Sequence, residues 1–284
     1  MTVRALFVSH EGFSTAIFRS QVIEHCESMT DLGYVFDLLT YEVFAGNWAK
    51  SSLTFNDYKN KQGLSFKLRR AVNMYWPGST IINLLLLAFA FILRKSQNRP
   101  TDLIHARSDY SAFLCIMLWP LHRRPVVWDC RGDAVDELNL AISQFNPVLR
   151  ALLHLALVPR QKFMRTVCSL CCHSAICVST ALDDLVKTYN PKISTEVIPC
   201  PVPLERFYFS KSKRQAKRRD LKIEDGKVVF IYSGSMTGYQ GISEFYYFYR
   251  EIIKNKNNKL IVLTSDIQKA DEIFITNVVV GIES

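Results

Sequence analysis

Lys227-Val-Val-Phe-Ile-Tyr-Ser-Gly-Ser-Met-Thr-Gly-Tyr-Gln-Gly-Ile242 is the stretch on which the reading of this chain turns. Its β-branched and aromatic run, Val228 to Tyr232, predicts a buried strand. The run breaks at Gly234, passes Gly238 and Gly241, and opens into a helical pattern. A strand, a glycine-rich turn and a helix start, in that order, let backbone N–H groups come close to an anion. The positive end of the helix dipole then favours phosphate. Gly234, Ser235 and Gln240 are the candidate phosphate-side residues of this turn. Glycines at such a turn also serve simply to make a tight connection, and the turn by itself leaves both readings open.

Around this stretch lie 284 residues, 49% hydrophobic, enough for one large core or two smaller ones. The net charge of +9 calls for an anionic partner: a nucleotide, an anionic membrane surface or nucleic acid. Nucleic acid ranks last, because no signature of a nucleic-acid-binding module is readable. The N-terminal run Met1 to Ser9 is too short for a signal peptide and reads as a first buried strand, so a cytoplasmic location with reduced thiols is expected. The eight cysteines then read as small core residues. Cys168, Cys171, Cys172 and His173 have ligand chemistry but lack the second half of a closed zinc site, so no metal is expected; the three cysteines could share a helix face.

From the N-terminus, Ser9-His-Glu-Gly12 follows the first strand, a helix runs to about Leu32, and a second strand covers Tyr34 to Tyr41. Such a unit is parallel and right-handed, and its ligands collect beyond the carboxyl ends of the strands, which places Gly12 at a cleft. A nicotinamide-binding Gly-x-Gly-x-x-Gly is missing there. Residues 43 to 79 mix aromatic and basic side chains without a clear period. The most apolar stretch, Ile81 to Leu93, makes a helix of roughly 20 Å, short of a ~30 Å bilayer core, and is expected to be buried against the sheet; the other reading rests it on lipid headgroups.

Two strand ends carry polar chemistry: Asp102-Leu-Ile-His105-Ala-Arg107-Ser-Asp109 and Val126-Val-Trp-Asp129-Cys-Arg131-Gly-Asp133. In each, an apolar strand runs into an Arg, whose forked donors suit phosphates, carboxylates and sugar hydroxyls. His105, Arg107, Arg131 and Asp133 are therefore the candidate cleft residues. The alternative is that Arg107 pairs with Asp109 and Arg131 with Asp133 merely to brace loops. The basic run Lys211 to Arg219 reads as a solvated helix face above Leu221 and Ile223.

With Val197-Ile-Pro-Cys-Pro-Val202, Phe207 and the Tyr239-Gln-Gly turn, these segments resemble the family 4 glycosyltransferases over nearly the whole chain. The resemblance implies an α/β fold of the GT-B type with two Rossmann-like domains, an acceptor-side domain over 1–203 and an incomplete donor-binding domain over 204–284. It implies a nucleotide-sugar donor placed by Gly12, Gly234, Ser235 and Gln240, and a saccharide or lipid-linked acceptor for the cell envelope. Transfer would retain configuration and need no cofactor or metal, at the inner face of the membrane. There are departures. Arg107 and Arg131 stand where many members carry His. Gln240 stands where a cation usually neutralises the departing diphosphate. The acidic pair that holds the nucleotide ribose would lie beyond residue 284. These departures imply weak or absent transfer, or a non-catalytic binding module.

Overall fold

The computed structural model describes residues 2–13, 18–58, 64–200, 204, 207–236, 241–252, 254–255, 257–264, 266–274 and 278–281. The chain divides into two compact units, Met1–Val202 and Pro203–Ser284.

The first unit is built on a parallel sheet of seven strands, β1 (Arg4–Ser9), β2 (Val35–Glu42), β3 (Leu64–Arg70), β4 (Leu103–Arg107), β5 (Val126–Cys130), β6 (Ser174–Cys177) and β7 (Ser194–Val197), in the order β3-β2-β1-β4-β5-β6-β7. The chain steps outward from β1 to β3 and then returns to lay β4 against the other side of β1. That reversal leaves a crevice beyond the carboxyl ends of β1 and β4, where α/β sheets take ligands. Both faces of the sheet are covered, so β1, with the buried run Ala5 to Ser9, shows no inside-outside alternation. One face carries the core of Leu6, Val8, Ile104, Ala106, Trp128 and Cys130 with helix α4 (Ser108–Met117); the other carries Phe7, Phe13, Phe36, Leu38 and Phe66.

The unassigned residues 43–79 contain helix α2 (Trp48–Tyr58) and edge strand β3, which pairs with β2 from Phe36 to Glu42. The apolar segment is longer than expected. Helix α3 (Ser79–Ser96) has 18 residues, about 27 Å at 1.5 Å each, because Ser79, Thr80 and Arg94 to Ser96 extend the helix beyond its apolar centre. By length and composition it could cross a membrane. It lies instead on the sheet, but only one stripe is buried, Ser79, Asn83, Leu87, Ala90, Phe91 and Arg94, while Ile81, Ile82, Leu85, Phe89 and Ile92 are exposed. The expectation of a helix buried against the sheet therefore holds for one face only. Asn83 fixes its register, donating to the Val72 carbonyl at 2.7 Å and to Tyr110 Oη at 2.8 Å.

The long helix α7 (Pro147–Cys171) starts at an Asn146 cap that accepts from Leu149 N at 2.9 Å. The three cysteines near its end do not share a face: Cys168 and Cys172 are buried and Cys171 is exposed.

The second unit has a parallel sheet ordered β10-β9-β8, with β8 (Val228–Ser233), β9 (Asn258–Leu263) and β10 (Val278–Gly281). Strand β8 is not the fully buried strand its sequence predicts. It lies at the edge of this sheet, where Val228 and Ile231 are exposed and Tyr232 is buried. The core beneath gathers Tyr232, Met236, Tyr249, Leu260, Val262 and Phe274. The basic helix α9 (Lys211–Asp220) exposes all its residues except Arg218, whose Nη2 donates to the Glu224 and Lys227 carbonyls.

Candidate functional site

At the crevice beyond β1 and β4, Arg107 is the central side chain. It is 3% exposed, its Nε donates to Glu11 Oε2 at 2.8 Å, and its Nη2 donates to Gln21 Oε1 at 2.8 Å. Gln21 reaches it because residues Arg19–Ile23 form a turn of π-helix ahead of α1 (Glu24–Asp31). Such turns shift helical register by one residue and recur at functional sites. The third nitrogen, Nη1, lies 3.5 Å from Asp129 Oδ2 and makes no hydrogen bond.

Asp129, the fourth residue of β5, is shared by three cationic or titratable groups. His105 Nε2 and Arg107 Nη1 each lie 3.5 Å from Oδ2, and Arg131 Nη1 lies 3.5 Å from Oδ1. Burial pushes this carboxyl up, but His105, Arg131 and Arg107 outweigh it and hold it below the usual carboxylate range. Arg131 Nη2 also donates to Cys200 Sγ at 3.2 Å. His105 stacks on Phe7 with ring centroids 4.6 Å apart, and beside it burial, followed by the charges of His105 and Arg131, pushes His25 below its ordinary value. A small cavity of about 20 Å³ opens among Gln21, His25, His105, Asp129 and Arg131.

The bracing pairs that the sequence left as an alternative do not form. Asp109 and Asp133 both bind Arg165 of α7, whose Nε donates to Asp109 Oδ2 at 3.1 Å and whose Nη1 donates to Asp133 Oδ1 at 2.6 Å. Its Nη2 reaches the Gly132 carbonyl at 3.2 Å. The crossing follows from Ser108, whose φ of 71° turns the chain sharply between the end of β4 and α4, separating Arg107 from Asp109. A positive φ at a non-glycine residue costs about 1–2 kcal/mol and is concentrated at sites that use the geometry. Asp133 is consequently a helix cap rather than an open cleft residue: its Oδ1 accepts from Val135 N and Asp136 N at the start of α6 (Ala134–Ser143). Arg107 and Arg131, by contrast, stand free of the two acids assigned to them and converge on Asp129.

Gly12 sits at this edge in a role different from the one expected. Its N–H is donated to the Tyr41 carbonyl at 3.0 Å, leaving no donor for a ligand. Its φ is 67°, and a Cβ there would overlap the Glu42 carboxylate, which accepts from Ser51 Oγ and from Phe44 N. Gly12→Ala is expected to lose about 2–3 kcal/mol of stability, the sum of left-handed strain and overpacking. A urea midpoint unchanged from the parent chain would refute the close packing of this turn on Glu42.

Next to it, His10 is buried between Tyr41, stacked at 4.7 Å, and Tyr110, edge-on at 5.2 Å. Its Nδ1 bonds Ser111 Oγ at 2.9 Å while Nε2 has no hydrogen-bond partner, and burial pushes its pKa down to about 3. His105 Nε2, Arg107 Nη1 and His10 Nε2 are thus three buried nitrogens without a hydrogen bond toward the carboxyl ends of the central strands β1 and β4. Buried polar atoms are seldom left so, and a cluster of them marks a place built for water or ligand.

In the second unit, Gly234 closes β8 and donates its N–H to the Leu263 carbonyl at 3.1 Å, while the Ser235 carbonyl accepts from Tyr232 Oη at 2.8 Å. Met236 N donates to Asp266 Oδ2 at 3.3 Å, and Gly241, with φ 66°, leads into α10 (Ile242–Ile252). Gly238 and Gln240 lie outside the described residues. No group of three or more His, Cys, Asp or Glu among the described residues has the geometry of a metal site.

Gln21, His25, Glu11, Asp129 and Arg165 are the site residues that sequence reasoning did not select. The Asp129-Cys-Arg131 spacing at a strand end was the one signal that could have drawn attention to Asp129.

No protein-family model and no curated protein sequence matches the chain. Solved structures do. Sucrose-phosphate synthase from Thermosynechococcus elongatus superposes with a TM-score of 0.71 at 15% identity, over 99% of this chain and 71% of that one. The Anabaena protein HepE in complex with UDP and glucose gives 0.64 at 12% identity, over 99% and 69%. The lipopolysaccharide outer core galactosyltransferase WaaB gives 0.56 at 9%, over 99% and 68%. The fold is therefore the α/β fold of GT-B glycosyltransferases, whose likeness runs the length of the chain.

Proposed function

We propose that this chain is a glycosyltransferase of the family 4 type, moving a sugar from a nucleotide-sugar donor to a saccharide or lipid-linked acceptor of the cell envelope. The observation that carries the proposal is the cluster of Arg107, Arg131 and His105 around Asp129 at the switch point of a sheet shared with sugar-transferring enzymes. Two guanidinium groups on one carboxylate keep a net positive edge for an anionic substrate group, with Arg131 the more accessible of the two. The acceptor half draws support from a cavity of about 370 Å³ at the carboxyl ends of β2 and β3, where Phe44, Trp48, Trp76, Arg70 and Asn73 offer apolar ring faces beside polar groups, a lining that suits a sugar. The reaction proposed needs no metal or cofactor and proceeds in the cytoplasm, at the inner face of the membrane.

The second reading, a binding module without catalysis, rests on Gln240. Fixed cations at a departing phosphate commonly contribute about 2–4 kcal/mol, or roughly 30- to 1000-fold in rate. Isothermal titration against UDP-, GDP- and ADP-sugars, with transfer assayed in parallel, tests both readings. Weak binding to one nucleotide sugar with slow transfer is expected, and Gln240→Arg should raise the rate by at least an order of magnitude. Binding without transfer in either form identifies the module. No affinity for any nucleotide sugar would remove the donor assignment, and micromolar affinity with ready turnover in the parent chain would show that the missing charge does not limit it.

A further inference from the structure

At the opposite ends of the strands of the first sheet lies a feature that the sugar-transfer reading does not use. A cavity of about 680 Å³ opens between the C-terminal end of α3, the link that follows it, and the turn after helix α5 (Trp119–His122). It borders the amino-terminal end of β4 at Ile104, whereas Arg107 of the crevice stands at the other end of that strand. Its charged and titratable lining is Arg94, Lys95, Arg99, His122, Arg123 and Arg124, with no acidic residue.

Arg94 is neutralised from behind, donating to Asp37 Oδ2 at 2.7 Å and Thr101 Oγ1 at 2.9 Å. Lys95, Arg99, Arg123 and Arg124 have no carboxylate partner among the described residues; the Arg99 guanidinium donates to Ser65 Oγ at 3.4 Å. His122 is not a further charge. Its Nε2 bonds the Cys115 carbonyl at 2.9 Å, its Nδ1 accepts from Arg124 N at 3.0 Å, and burial lowers its affinity for a proton. It acts as a neutral wall that orders the Arg123-Arg124 turn. The negative end of the α3 dipole accounts for Arg94 and Lys95 in its last turn but not for the other three cations. Their field extends to the edge of the sheet, where burial, then Arg99, Arg69 and Arg94, disfavour the charged form of Lys67. Four unpaired cations around one concavity repel one another, and a multivalent anion in that concavity turns the repulsion into charge-assisted hydrogen bonds.

We propose that this cavity binds a phosphate-bearing anion, held by Lys95, Arg99, Arg123 and Arg124, at a site separate from the sugar-transfer crevice. Two sources carry that chemistry. One is a soluble phosphate compound. The other is the headgroup of an anionic phospholipid, which the exposed apolar ridge of Ile81, Leu85, Phe89 and Ile92 on α3 makes room for beside the cavity.

The test uses the full chain with inorganic pyrophosphate by isothermal titration, and vesicles of phosphatidylglycerol or phosphatidylcholine by co-sedimentation. The variants are Arg99→Ala/Arg124→Ala and, as a milder second form, Lys95→Gln. Arg214→Ala/Arg219→Ala on the exposed face of α9 removes the same charge as the first variant from the other unit. Saturable one-to-one pyrophosphate binding, weakened at least tenfold by Arg99→Ala/Arg124→Ala and unchanged by the α9 variant, supports the site with a soluble ligand. Sedimentation with phosphatidylglycerol alone, lost in the same variant and competed by pyrophosphate, supports the site with a headgroup. Absence of saturable binding to both probes overturns the proposal, as does equal loss in the two double variants, which would reduce the effect to net charge.

Discussion

Replacing Arg165 by Met is expected to lower the free energy of unfolding by about 3–5 kcal/mol. The guanidinium is 1% exposed and is the only cation paired with Asp109 among the described residues, and the Asp109 side chain is 3% exposed. Burial pushes the Asp109 carboxyl upward, and Arg165, followed by the Gln161 amide at 3.1 Å and by Trp128, opposes that push. Without the arginine, a carboxylate is left in the core with neutral groups alone beside it, and the chain either tolerates a buried charge or takes up a proton to remove it. The second partner contributes less, because the Asp133 side chain is 30% exposed and solvent takes over its charge. Adding Asp109→Asn to Arg165→Met should restore at least half of the loss, since the double variant no longer buries a lone charge. Urea unfolding of the four members of this cycle is the measurement. A single-variant loss below about 1 kcal/mol would mean that Arg165 is not the counter-charge it is taken to be.

Arg165 also shows where sequence reading stops. The alternation of strand and helix and the strand ends bearing Arg107 and Arg131 are legible, because each rests on local periodicity or on a turn residue; edge strand β3 and the reversal after it are not, because they fall in residues 43–79, where no period is readable. Arg165 sits in a long amphipathic helix, where one basic residue looks like any solvated position. Its burial is decided by Asp109 and Asp133, 56 and 32 positions away. Pairing Arg107 with Asp109 is the alternative that two residues of separation suggest, and the positive φ of Ser108, which no propensity predicts for serine, undoes it. Gln21 reaches Arg107 through a π-turn, an inserted residue that leaves no mark in a hydrophobic period. Helix α3 was misjudged for a related reason. An almost uniformly apolar segment does not say which face will be covered, and the polar residues that lengthen it look like boundaries.

The second large effect concerns acid. His10 has its ring enclosed by Tyr41 and Tyr110, one nitrogen on Ser111 and the other without a partner, so a second N–H on the imidazolium would find nothing to accept it. Its pKa is accordingly pushed from 6.5 down to about 3. In the unfolded chain the same imidazole titrates near 6.5. Because the folded value is the lower one, the unfolded state binds the extra proton, and the contribution of His10 to stability is whole above pH 6.5 and falls as pH drops toward 3. At about 1.4 kcal/mol per pH unit, the loss reaches roughly 4–5 kcal/mol. His25 and His122, both shifted downward chiefly by burial, steepen the same limb, and Asp129, held low by its cations, adds to the loss only below about pH 4. His10→Phe separates these contributions. It keeps the packing between the two tyrosines, gives up the Ser111 hydrogen bond at a cost of about 1 kcal/mol, and cannot titrate. Urea unfolding at half-unit intervals from pH 7 to 4 should show the variant less stable at pH 7 but flatter with falling pH by close to one proton, so that the two curves cross. Parallel curves would mean that His10 takes up its proton as readily in the folded chain as in the unfolded one, and that the ring is not enclosed as described.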